Sequence, residues 1–276
     1  MAFKIATSKK EGVAQITELV ELFKNGYKTF KNSKYNETQL RNDFVDALLM
    51  SFGWDVDNDA KKNQFLRDVI QEESIDVEDE KAKKNPDYTL RVQGLRKLFV
   101  EAKKPNVDIT KSAKAAFQTR RYGWNANLGI SILTNFEHLI IYDCRYKPST
   151  KEDERVARIQ IFEFTDYPKA FDELYDLISF ETASTGRLDD LFSVYERVGE
   201  TFDDYFLAQI ESWRERLATS AVQLNEQLGS EEINFLIQRL LNRIVFLRIC
   251  EDRTIEKYET LKGSYERDKD YLAAIT

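Results

Sequence analysis

The stretch 85–103, NPDYTLRVQGLRKLFVEAK, decides the fold of the first half of this chain. Two runs of alternating apolar and polar residues flank Gly94, which is the only glycine in the stretch. This pattern predicts two strands joined as a β-hairpin around Gly94. Asp87 and Glu101 stand equally far from Gly94 along the chain, so the hairpin makes them cross-strand partners. Lys103 lies two residues beyond Glu101 and is therefore expected on the same face of the sheet.

Two carboxylates and one ammonium on one sheet face favour a particular chemistry. Asp87 and Glu101 offer the oxygen ligands that Mg²⁺ prefers. An ion held between them would neutralise a phosphate and activate a water molecule, while Lys103 would hold that water or stabilise the phosphate. We expect Leu98 and Val100 to form the buried face of the strand and to turn Glu101 and Lys103 outward. The alternative is a surface salt bridge between Glu101 and Lys103, and the residue pattern alone leaves both open.

Two other segments offer supporting side chains for such a site. Gln118 and Tyr122 are four residues apart in the predicted helix 112–122, which places them on one side of it. The amide of Gln118 is suited to bind a water molecule at the metal or a phosphate. Glu37 lies near the start of the predicted helix 37–52 and offers another carboxylate. A role for Glu37 as a partner of the helix dipole stays equally open.

Charge is distributed unevenly along this acidic chain. The formal net charge is −7, yet residues 87–125 contain nine Lys and Arg against three acidic residues. Such a local basic patch indicates phosphate contacts, although two solvated faces of opposite sign would give the same pattern. The residues that we expect to contact DNA are Lys104, Lys111, Lys114, Arg120, Arg121 and Tyr122.

Composition excludes several classes of protein. A hydrophobic content of 42% in 276 residues can form a substantial core, and no apolar run is long enough to span a bilayer. Cys144 and Cys250 lack the spacing of a metal or redox motif, so we expect reduced thiols and a cytoplasmic location. His138 is the only histidine, which argues against a multi-histidine metal site and against a Ser-His-Asp triad.

Periodicity predicts an α/β fold followed by an all-helical region. The predicted helices are 10–30, 37–52 and 112–122, and the predicted strands are 87–91, 97–102, 128–134, 138–143 and 156–164. These elements fit a mixed sheet flanked by helices, in a domain that we place at residues 1–180. Beyond residue 181 no strand pattern occurs, and helices are predicted over 188–201, 203–228 and 230–258.

These motifs resemble a known nuclease superfamily. The residues NPDY at 85–88 and FVEAKKP at 99–105 resemble the PD-(D/E)xK nucleases, whose domain has the restriction-endonuclease-like fold. Glu37 and the pair Gln118 and Tyr122 resemble the RecB-like branch of that superfamily. Residues 36–55 and 118–127 are similar to the nuclease end of type IIG restriction-modification enzymes, and residues 240–253 resemble the start of their helical connector.

The resemblance implies an activity and roles for individual residues. It implies hydrolysis of double-stranded DNA with Mg²⁺, for which Mn²⁺ can substitute. Asp87 and Glu101 would be the metal ligands and Lys103 the catalytic lysine, with Glu37 and Gln118 as supporting site residues. Residues 181–276 would then be a connector leading to a methyltransferase domain.

The same resemblance implies a longer parent protein. No NPPY methylation motif and no phosphate-binding loop occurs, so this chain can supply neither methylation nor an ATP-driven motor. We expect it to be a fragment that lacks C-terminal methyltransferase and target-recognition domains, with S-adenosylmethionine bound only in that missing part. The alternatives are the nuclease end of a type I restriction subunit, a nuclease-like module that binds DNA or a partner without cleaving, and an inert connector.

Overall fold

The computed structural model describes residues 3–75, 77, 83–192, 202–224, 227–252 and 255. The chain divides into two compact units, Met1–Tyr205 and Phe206–Thr276. The first unit contains the sheet and the predicted site, and the second is helical where it is described. Among the described residues, no helix is both long and apolar enough to cross a membrane.

A mixed six-stranded sheet forms the centre of the first unit. Its strands are β1 Val69–Gln71, β2 Tyr88–Val92, β3 Leu95–Ala102, β4 Ile130–Thr134, β5 His138–Asp143 and β6 Arg158–Glu163, and they lie side by side in chain order. All neighbours are antiparallel except β3 and β4, which are parallel. A parallel pair needs a crossover connection, and α4, Ala113–Asn125, supplies it. The predicted mixed α/β architecture is confirmed.

The hairpin between β2 and β3 turns through two residues with left-handed backbone conformations. Gln93 has φ of +50° and Gly94 has φ of +82°. Positive φ at both central residues is typical of a type I′ turn, whose twist matches that of the flanking strands. Glycine adopts this conformation without steric cost, whereas glutamine does so less readily.

A β-bulge restores the register that the sequence predicts. The pairing shifts between Leu90 and Arg91, so that Tyr88 faces Val100, and both are equally far from Gly94. The ladder ends at this pair. Asp87 therefore lies one residue outside β2 and does not take part in the backbone pairing that we expected for it.

Helices cover both faces of the sheet. In chain order they are α1 Lys9–Phe30, α2 Glu37–Leu40, α3 Asp46–Ser51, α4, α5 Phe171–Ile178, α6 Phe180–Ser184 and α7 Arg187–Leu191. A π-helical turn, Arg41–Val45, joins α2 to α3. The main core lies on one face, where Phe23 of α1 packs against the rings of Phe44, Phe136 and Phe164.

The other face of the sheet is covered by α4, and this corrects one expectation. Leu98 and Val100 are buried as predicted, but Phe99 and Glu101 on the opposite face are buried as well. Phe99 packs against Tyr122 of α4 in a separate apolar cluster. The strand is therefore covered on both sides, and Glu101 does not point outward to solvent.

Two longer helices, the first of which begins four residues before Phe206, make up most of the described part of the second unit. These are α8 Phe202–Leu224 and α9 Ser230–Asp252, which overlap the predicted helices 203–228 and 230–258. Ile233, Ile237 and Leu241 of α9 form their common apolar cluster with residues of α8. The predicted helix 188–201 lies mostly outside the described residues. The division of the chain at residue 180 stays a prediction.

Candidate active site

Asp87 closes the open end of the hairpin with its side chain. Its Oδ2 accepts a hydrogen bond from the backbone N–H of Ala102 at 2.7 Å, and its Oδ1 accepts one from Arg41 at 3.2 Å. The carboxylate thus occupies the position where a backbone partner of β3 would otherwise lie. Burial raises the pKa of Asp87, and the Ala102 hydrogen bond and Arg41 partly oppose this effect.

Glu101 lies at the end of β3, beneath α4, with only 4% of its surface exposed. Its Oε1 accepts hydrogen bonds from Lys103 Nζ at 2.5 Å and from Gln118 Nε2 at 2.6 Å. Its Oε2 is buried, and no described group donates a hydrogen bond to it. Burial raises the pKa of Glu101 to about 7, with Lys103 opposing and Asp87 reinforcing the shift. A buried carboxylate oxygen without a donor is uncommon and indicates a missing ligand or a cation.

Lys103 follows β3 directly and is held by both its backbone and its side chain. Its N–H donates to the carbonyl of Thr134 at 2.9 Å, which extends the parallel pairing to β4 by one residue. Burial acts to lower the pKa of Lys103, but the neighbouring Glu101 carboxylate outweighs this, and the pKa is raised. The ammonium therefore stays protonated at neutral pH and acts as a cation.

Two helices, α2 and α4, bring the supporting residues to these three. Gln118 of α4 donates to Glu101 and also to the hydroxyl of Tyr122 at 3.0 Å, so the predicted i, i+4 pair exists. Glu37 is the first residue of α2, where Asn36 forms a capping box. Burial raises the pKa of Glu37; Lys103 lowers it and Asp87 raises it again, which places this carboxylate within their electrostatic reach.

The predicted DNA-contacting lysines are on the surface. Lys104, Lys111 and Lys114 are exposed. The ammonium of Lys111 lies 3.5 Å from Asp108 in an exposed pair, which contributes little to stability. These three side chains are free to rearrange toward a phosphate backbone.

The aromatic and arginine members of the predicted contact set are less accessible. Tyr122 is buried against Phe99 and belongs to the site rather than to the surface. Arg121 is half-buried and lies over the ring of Phe117. Arg120 is 2% exposed, and its guanidinium forms a 2.5 Å ion pair with Glu152, so it does not reach the surface as we expected. The reason is that Arg120 lies on the side of α4 that faces the sheet.

Arg41 contacts the site and was missed by the sequence analysis. It is buried, and its guanidinium binds Asp87 at 3.2 Å and Glu72 at 2.8 Å. Its position four residues after Glu37 on the same predicted helix was the available signal, since such residues share a face.

The acidic residues present fit a divalent cation held by two protein ligands. Among the described residues, no group of three or more His, Cys, Asp or Glu side chains is arranged to hold a metal ion. Asp87 and Glu101 remain as two neighbouring carboxylates, and the charge of Asp87 raises the pKa of Glu101. The Oε2 atom of Glu101, which lacks a donor, is the oxygen available to a cation.

Comparison with known proteins found one matching family and one similar curated protein. Residues 34–150 match the family described as the type I restriction enzyme R protein N terminus. The chain is also 41% identical over 263 residues to the type II restriction enzyme and methyltransferase RM.Eco57I of Escherichia coli.

This chain is similar to part of a restriction enzyme.

The likeness extends over 95% of the chain but over only 26% of that Escherichia coli protein. The five residues that meet in the structure, Glu37, Asp87, Glu101, Lys103 and Gln118, all lie inside the part that matches the R protein family. No solved structure matches the chain.

Proposed function

We propose that this chain is the metal-dependent DNA endonuclease module of a restriction-modification enzyme. The observation that carries the proposal is the buried carboxylate of Glu101, which lies beside Asp87 and Lys103 and has one oxygen without a donor. The relationship to restriction enzymes supports a phosphodiester as the bond that this site hydrolyses.

Asp87 and Glu101 are the proposed metal ligands. Oxygen ligands of this kind favour Mg²⁺, with Mn²⁺ as a substitute. The bound ion would supply charge neutralisation at the phosphate and lower the pKa of a water molecule. The hydrogen bonds from Ala102 and Arg41 fix the orientation of the Asp87 carboxylate.

The remaining site residues act on the phosphate and on the ligands. Lys103 is the proposed catalytic lysine, and its protonated ammonium is suited to donate to a phosphate oxygen whose charge grows during the reaction. Gln118 donates to Oε1 of Glu101, which leaves Oε2 as the oxygen available to a cation. Glu37 adds a third carboxylate whose charge strengthens the attraction for a cation.

Double-stranded DNA is the proposed substrate. Lys104, Lys111 and Lys114 are exposed, and Arg121 lies with Lys114 and Gln118 on α4. We infer that these cations neutralise backbone phosphates, which gives affinity without sequence selection. This activity would place the protein with DNA in the cytoplasm.

Substitution of the ligands and of the lysine tests the proposed reaction. We expect Asp87→Asn and Lys103→Met each to lower Mg²⁺-dependent nicking of supercoiled plasmid by about 10²-fold or more. Lys24→Met, an exposed change on α1, is the matched control and is expected to nick normally. Circular dichroism checks that each variant is folded. Full nicking by either site variant would refute the assignment.

A larger parent protein is proposed from the partial coverage of the relative. That relative is described as a methyltransferase as well as a restriction enzyme, and this chain spans 26% of it. We infer that a methyltransferase domain with S-adenosylmethionine and a target-recognition domain accompany the module. The matching R protein family favours a type I parent with a motor instead. Sequencing the reading frame beyond residue 276 separates the two, since NPPY indicates methylation and a phosphate-binding loop indicates a motor.

A nuclease-like module that binds DNA without cleaving is the second candidate. It is favoured by the lack of a three-ligand cluster among the described residues and by the two donors already on Glu101 Oε1. Calorimetric titration with Mn²⁺ separates the candidates. Binding that is lost in Asp87→Asn supports the endonuclease, and no binding by the unaltered chain supports the second candidate.

A further inference from the structure

Arg41 is the cation most deeply enclosed beside the proposed metal ligands. It is 8% exposed, and its NH1 contacts both Glu72 Oε1 and Asp87 Oδ1. Its NH2 donates to Gln71 at 3.3 Å, and its guanidinium lies over the ring of Tyr88 at 5.2 Å from the centroid. These contacts fix the position of the Arg41 guanidinium beside the Asp87 carboxylate.

The backbone around Arg41 is built for these contacts. Arg41 begins the π-helical turn between α2 and α3, in which the N–H of Asp46 donates to the carbonyl of Arg41. Residues five apart lie on different faces of a regular α-helix. The wider π turn brings Arg41 and Asp46 together around Tyr88, whose hydroxyl donates to Asp46 at 2.8 Å. Such turns occur frequently at functional sites.

Arg41 also changes the charge balance of the site. Arg41 acts electrostatically on the carboxylates of Glu37, Glu72 and Asp87. Lys103 acts on those of Glu37, Asp87 and Glu101, and Lys104 also acts on Glu37. Without Arg41 the carboxylates would repel one another more strongly in a partly desolvated place.

We propose that Arg41 is a positioning residue that serves as the resident counter-ion of this site. It holds the Asp87 carboxylate in the orientation in which Oδ2 meets the N–H of Ala102. Because Arg41 and a divalent cation attract the same carboxylates, Arg41 also limits the affinity for the cation. This inference rests on the proposed metal-dependent function.

The test measures Mg²⁺ binding by calorimetry and the Mg²⁺-induced rise in melting temperature. Arg41→Met is expected to lower the melting temperature in EDTA and to bind Mg²⁺ about 10-fold more tightly, because a repelling cation is gone. Its Mg²⁺-induced rise should then exceed that of the unaltered chain by about 3 °C. Arg41→Lys keeps the charge and is expected to restore a normal rise.

Glu72→Gln changes the charge beside Asp87 in the opposite direction. The Glu72 side chain is 64% exposed, so its replacement leaves the fold intact even where Arg41→Met does not. Because one carboxylate is lost and Arg41 then pairs with Asp87 alone, we expect the affinity for Mg²⁺ to fall several-fold. Arg145→Met is the control. It breaks an ion pair with Asp143, the last residue of β5, which lies opposite the start of β4 and away from the site, and it should leave Mg²⁺ binding unchanged.

The outcomes distinguish this inference from the proposed function. If the unaltered chain shows no Mg²⁺ binding, the proposed metal site itself is wrong. If it binds Mg²⁺ but Arg41→Met binds it equally or less tightly, Arg41 is only a structural ion-pair partner. Unchanged binding in Glu72→Gln would also overturn the counter-ion role.

Discussion

The Glu101 carboxylate combines burial beneath α4, two donors on one oxygen and none on the other. Burial raises its pKa to about 7, so the folded protein binds a proton here more strongly than the unfolded chain does. Stability from this proton is fully present below the unfolded pKa and is lost as the pH rises toward 7. At higher pH the folded protein contains an ionised carboxylate that a cation would stabilise.

Replacement of Glu101 by glutamine removes the loss of stability that comes from ionising this buried carboxylate. We expect Glu101→Gln to raise the free energy of unfolding at pH 8 by about 2–3 kcal/mol in EDTA, and by much less at pH 5. Urea unfolding at the two pH values measures the difference. Mg²⁺ should stabilise the unaltered chain and not this variant. A stability difference that is the same at both pH values would contradict the raised pKa.

Glu73 provides a control with the opposite sign. Burial acts to raise the pKa of Glu73, but its hydrogen bonds with Arg96 outweigh burial and lower the pKa. Its contribution to stability is therefore present above the unfolded pKa and is lost as the pH falls. Glu73→Gln is expected to destabilise the protein at pH 8, where Glu101→Gln stabilises it.

At the scale of elements, the hairpin of β2 and β3 sets the positions of the proposed ligands. Its two-residue turn places Gln93 and Gly94 in left-handed conformations, and the bulge at Leu90 then restores the register toward Asp87. The alternating pattern was enough to predict both strands and the facing of Tyr88 and Val100. The bulge was not predictable, because it depends on contacts with the rest of the sheet.

Two substitutions in the turn are expected to act in opposite directions. Gln93→Asn should stabilise the chain by about 0.5 kcal/mol, because asparagine adopts a left-handed conformation more readily. Gly94→Ala should destabilise it by about 1 kcal/mol or more, because its φ of +82° strains an alanine. Thermal unfolding measures both changes. Equal effects of the two variants would argue against the type I′ turn.

At the scale of the whole molecule, the core of the first compact unit includes side chains of α6 and α7. Leu188 of α7 is buried in its core, and Ala183 of α6 is buried there as well. Asp189 of α7 pairs with Lys97 of β3, although this pair is exposed on one side and contributes little. Helices α6 and α7 therefore complete the unit that contains the site.

Truncation at two positions tests this organisation. The fragment 1–205 is expected to unfold cooperatively and to retain the Mg²⁺-induced rise in melting temperature. The fragment 1–180 lacks α6 and α7 and should be less stable by about 2–4 kcal/mol, mainly because Leu188 no longer fills the core. Equal stability of the two fragments would support the boundary that the sequence predicted.

The sequence by itself determined the hairpin around Gly94, the sheet that contains it and the set of polar residues that meet at its end. Alternation and i, i+4 spacing are local properties, so Asp87, Glu101, Lys103 and Gln118 could be chosen from residue positions alone. Only the tertiary structure decided that α4 buries Glu101, that Arg41 holds Asp87, and that Arg120 is turned inward. These features depend on packing between segments far apart in the chain, which no local pattern records.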